Sequence, residues 1–147
     1  MKVIRSGVFE TNSSSCHSIA IGDSLPEDLK IPKRLEVCEL ELGRNFDYNT
    51  VEQRFTVAVM FAYYDSKQTL EKLLKMLNNI GVQEFILAKC KGYSLLFNGA
   101  GIEIGNISEA SDDADIYIKE IMKSEDTLKK WIFSNDSYLY GEDDNEW

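Results

Sequence analysis

From Thr50 to Asp65 the chain places apolar residues on nearly every side of a helix. Val51, Phe55, Ala58, Val59 and Ala62 recur at helical spacing, and Met60, Phe61, Tyr63 and Tyr64 widen the stripe until little polar surface is left. Such a helix is surrounded by other elements when it folds, because its apolar surface cannot be buried against one neighbour alone. The rest of the chain must therefore supply cover on several sides. With 147 residues it can do so as a single domain spanning 1–147, large enough for one well-formed core.

The covering elements follow. Asp65 or Ser66 caps a second helix, with Gln68 placed as a capping-box partner to Asp65. Leu70, Leu73, Leu74, Leu77 and Ile80 form its stripe, and Gly81 ends it. Ser111 caps a third, whose acidic first turn holds Asp112, Asp113 and Asp115 and whose buried face is Ala114, Tyr117, Ile118, Ile121 and Met122. Ser124 restarts or continues it toward Leu128, Trp131 and Ile132.

Strand patterns fill the gaps. Met1–Phe9 is β-branched with a bend at Gly7, and His17, Ile19 and Ile21 alternate with Ser18 and Ala20. These two runs predict an N-terminal hairpin with a polar tip. Residues 23–34 hold both prolines and read as a connector with one helical turn. Leu35–Leu42 alternates, with Cys38, Leu40 and Leu42 on its apolar face. Gln83–Ala88 is a short buried strand, and Tyr93–Phe97 and Ile102–Ile104 flank the hairpin signal Asn98-Gly99. Ser137–Tyr140 is a last strand, followed by a frayed acidic tail at 142–147. Strands and helices are segregated, so the expected class is α+β, a mostly antiparallel sheet with three or four helices packed on it.

Charge narrows the function. Residues 1–102 hold 12 acidic and 12 basic side chains, whereas 103–147 hold 13 acidic and 4 basic ones, carrying the whole net charge of −9. A nonspecific nucleic-acid binder needs clustered cations to displace counterions, so direct duplex binding is not expected. There is no apolar run of about 18 residues to span a membrane and no signal pattern, so a soluble cytoplasmic protein is expected. Cys16, Cys38 and Cys90 form no CxxC pair and suggest reduced thiols rather than a zinc site or a disulfide framework. No metal or other cofactor is expected. Asp136–Gly141 has tyrosines at the third and fifth positions of an EF-hand pattern and does not fit one.

The chemistry concentrates in Arg5–Ser18, which contains the only histidine and a dense set of hydroxyls. Cys16 and His17, adjacent in a strand, would face opposite ways and so make no catalytic dyad. A serine curling back to His17 would be the ingredient of a small nucleotide-acting enzyme. The preferred reading is anion binding. Backbone amides in a turn rich in Thr11, Asn12, Ser13, Ser14 and Ser15 form a donor-rich nest for phosphate, Arg5 neutralises it, and His17 hydrogen-bonds or stacks. Neither GxxxxGK[ST] nor GxGxxG is present, so this is no standard nucleotide loop. Another reading makes the acidic C-terminal third a decoy surface for a basic, nucleic-acid-binding partner.

Phe9-Glu10-Thr11-Asn12-Ser13-Ser14-Ser15-Cys16-His17-Ser18, with the apolar strand Ile19–Ile21 after it, resembles the start of small bacteriophage and prophage proteins that open on a pattern like F-E-T-N-S-S-S-x-H-S. The resemblance covers that stretch alone. It implies a phage origin and a role against host defence, by sequestering a nucleotide immune signal or by blocking a defence protein. The expected function is thus a noncatalytic binder of a phosphate-bearing small molecule in the host cytoplasm, with homo-oligomerisation through exposed sheet edges.

Overall fold

The computed structural model describes residues 2–7, 16–38, 40, 46–87 and 114–142. The elements run β1 (Lys2–Gly7), β2 (Cys16–Ile21), β3 (Arg34–Glu36), β4 (Phe46–Tyr48), α1 (Val51–Asp65), α2 (Lys67–Ile80), β5 (Glu84–Ile86), α3 (Ala114–Ile121), α4 (Glu125–Phe133) and β6 (Tyr138–Glu142). The fold is α+β, as the segregation of elements predicts. A four-stranded sheet of order β1-β2-β6-β4 is antiparallel at every pairing. The expected Asn98-Gly99 hairpin, the Ser111 cap, the tip between β1 and β2, and residues 143–147 lie outside the described residues.

Helix α1 is the centre of the core. Every residue from Arg54 to Ala62 is buried, and α1 packs against α2, α3, α4, β3 and β6. Its start is fixed by a reciprocal capping box, in which Gln53 N–H donates to Thr50 Oγ1 at 3.2 Å and Thr50 N–H donates to Gln53 Oε1 at 3.1 Å. Ser66 separates α1 from α2 in extended conformation and caps α2 by accepting from Thr69 N–H at 3.0 Å. The residue tied to Asp65 is Thr69, whose hydroxyl donates to the Asp65 carboxylate, rather than Gln68. Gly81, at φ 127°, ends α2 in a conformation that side chains with a Cβ rarely adopt. Ser124 separates α3 from α4 and caps α4 through Thr127 N–H at 3.0 Å.

Three local expectations change. The connector at 23–34 holds a turn closed by Leu29 N–H to Pro26 O at 3.1 Å instead of a helical turn, and Leu25, Leu29 and Ile31 pack on the core. Strand β3 is shorter than Leu35–Leu42: Leu35 is its core position, Val37 just beyond it is also buried, and Cys38 N–H donates to Thr56 Oγ1 at 2.9 Å instead of continuing the ladder. Leu40 is also buried. The short β3 also pairs with β5 in parallel, an arrangement that needs a long crossover, and α1 and α2 lie within that crossover. Glu142, expected at the head of a frayed tail, ends β6 opposite Cys16.

One side chain ties the layers together. Arg54 is 2% exposed and donates from Nε to Ile132 O at 2.9 Å, and from one terminal nitrogen to Ser137 O at 3.2 Å and to Asn49 O. Trp131 Nε1–H returns a bond to Arg54 O at 2.9 Å. Desolvation by burial pushes the Arg54 pKa down, with nearby Glu52 opposing; an arginine nonetheless stays cationic in proteins. Ile132 O belongs to the last turn of α4, where carbonyls lack intrahelical partners and a cation is favoured.

Ser137 extends the tie. Its hydroxyl donates to Lys130 O at 2.7 Å and accepts from Gly22 N–H at 3.0 Å, holding the end of β2 against the turn that follows α4. The approach is close: a Cβ on Gly22 would lie 1.9 Å from Ser134 Oγ and 2.7 Å from Ser134 Cβ.

Arg54→Met is expected to lower unfolding stability in urea by about 3 kcal/mol, because main-chain carbonyls in the interior lose a charged donor. A loss under about 1 kcal/mol would contradict that role. Gly22→Ala should destabilise by about 1–3 kcal/mol through overpacking. Part of that loss should return in the double variant with Ser134→Gly, whereas additive effects would show that the two residues are not in contact.

Candidate functional site

The donor-rich stretch sits on the N-terminal hairpin. β1 and β2 pair in antiparallel register from Lys2↔Ile21 to Gly7↔Cys16. β2 is an inner strand, since β6 pairs along its other side from Cys16↔Glu142 to Ala20↔Tyr138. Ser18, Ile19, Ala20 and Ile21 are all buried. The segment Thr11, Asn12, Ser13, Ser14 and Ser15 lies outside the described residues, but it joins two strands whose ends are fixed in the sheet. Cys16, His17 and Ser18 are strand residues, so the loop proper ends before Cys16.

Register decides which positions share a face. Directly paired residues of antiparallel strands lie on the same face, and successive residues alternate. Position 17 pairs with Ser6 and Gly141, and Gly141 pairs in turn with Phe46. It therefore lies on the core face, two residues before buried Ile19, which pairs with Leu139, itself opposite Tyr48. Position 5 pairs with Ser18, which pairs with Tyr140, and Tyr140 pairs with Asp47; this row lies on the other face. The fold thus places Arg5 and His17 on opposite faces of the sheet. A single ligand meets both only across the end of the sheet where the hairpin tip begins. Positions 16 and 17 are likewise on opposite faces.

A concavity, which sequence patterns give no sign of, lies at the far end of β2. It has a volume of about 390 Å³ and is lined by Ile21, Gly22, Asp23, Glu120, Lys123, Ser124, Thr127 and Lys130. From Cys16 to Ile21 the strand rises about 17 Å, so the two places are separate. Its cations are offset by carboxylates. Lys130 Nζ lies 2.9 Å from Asp126, Ser124 Oγ is engaged as a helix cap, and the first turn of α4 carries Glu125 and Asp126. An anion would meet little net attraction there.

The acidic surface also looks different once the helices are placed. Between Asp115 and Lys130, four acidic residues (Asp115, Glu120, Glu125, Asp126) are matched by four lysines (Lys119, Lys123, Lys129, Lys130). The helices α3 and α4 are therefore close to charge-balanced, and Asp112 and Asp113 lie outside the described residues. Among the described residues no group of three or more His, Cys, Asp or Glu side chains could hold a metal ion, and no helix is long and apolar enough to cross a membrane. In comparisons with known proteins, no family model, curated protein or solved structure matches the chain.

Proposed function

We propose that the chain is a noncatalytic binder that holds a phosphate-bearing small molecule at the tip of the β1–β2 hairpin. The observation that carries this reading is the anchoring of the donor-rich segment. Ser15 is followed by Cys16, which pairs with Gly7 on one side and Glu142 on the other, so the donor-rich segment runs into an inner strand bonded on both sides. Backbone N–H groups with Ser13, Ser14 and Ser15 would take the phosphate. Arg5 would approach from the outer face and His17 from the core face, each from its own side of the sheet end. The charges of α3 and α4 balance, so the alternative decoy reading would rest on Asp112, Asp113 and the acidic tail.

The biological setting comes from the resemblance of Phe9–Ser18 to phage proteins. On that basis the ligand is a nucleotide-derived immune signal and the chain sequesters it in the host cytoplasm. A second copy could add to the edge of β1.

The test is a thermal-shift panel of inorganic phosphate, ribose 5-phosphate, AMP, ADP-ribose and a cyclic dinucleotide. A true ligand at 100 times its dissociation constant adds about 2.7 kcal/mol to stability. At least one nucleotide is expected to shift the wild type, the shift is expected to shrink in Arg5→Ala and in the triple Ser13, Ser14, Ser15→Ala variant, and the nucleotide should be recovered unchanged. No shift at millimolar concentration would overturn the reading, and its conversion to product, lost in His17→Ala, would replace it with an enzyme.

A further inference from the structure

We draw no further inference here: the strongest candidate, the concavity of about 390 Å³ between the end of β2 and the α3–α4 junction, has much of its polar lining already engaged within the chain, Lys130 with Asp126 and Ser124 with Thr127, and nothing in the structure shows what would occupy it.

Discussion

The structure depends on a cation held away from water by main-chain carbonyls. Arg54 enters the core from the first turn of α1 and reaches Ile132 O at the end of α4 and Ser137 O in the turn that leads into β6. A buried charge without a carboxylate partner is costly unless its donors are satisfied. Here they meet main-chain carbonyls: Ile132 O, which lacks an intrahelical partner where a helix ends, and Asn49 O and Ser137 O in connecting segments. The gain is connectivity. Ser137 joins this network to Gly22 at the end of β2, and β6 lies between β2 and β4. The position of the hairpin is thereby coupled to the helical core, although Thr11–Ser15 is remote from Arg54 in sequence.

This coupling bears on the binding hypothesis. A donor-rich loop on a weakly held hairpin would lose conformational entropy whenever it closed on a ligand. The strand that follows the donor-rich segment is bonded on both sides from Cys16 onward, and the ordering cost of that strand is already met by folding. The separation of Arg5 and His17 onto two faces limits how they could cooperate. They act on one molecule only if it straddles the sheet end.

Much of the fold was legible because its signals are local. The apolar belt of α1, the Leu70–Ile80 stripe, the stops at Gly81 and Ser124, and the two arms of the hairpin each announce themselves within a dozen residues or so. What was illegible depends on partners far away. Arg54 looks in sequence like a solvated cation near a helix start, and its partners Ile132 and Ser137 are 78 and 83 residues distant. Strand β3 stops short because Thr56, on another element, takes the Cys38 N–H. Gly22 reads as the end of a strand, but its necessity comes from Ser134. The hydroxyl-rich composition of the candidate site was plain from sequence, whereas the faces of positions 5 and 17 became definable only once Gly7 was paired with Cys16.

The central claim is that ligand is held at the hairpin tip and not elsewhere on the molecule. A nitrogen-15 amide chemical-shift titration with AMP tests this most directly, because it locates the response residue by residue. The account predicts saturable shifts concentrated in Thr11–Ser18, with Asp23 and Lys123–Thr127 around the concavity at the far end of β2 unchanged. Shifts centred on that concavity, or none anywhere at millimolar AMP, would contradict it.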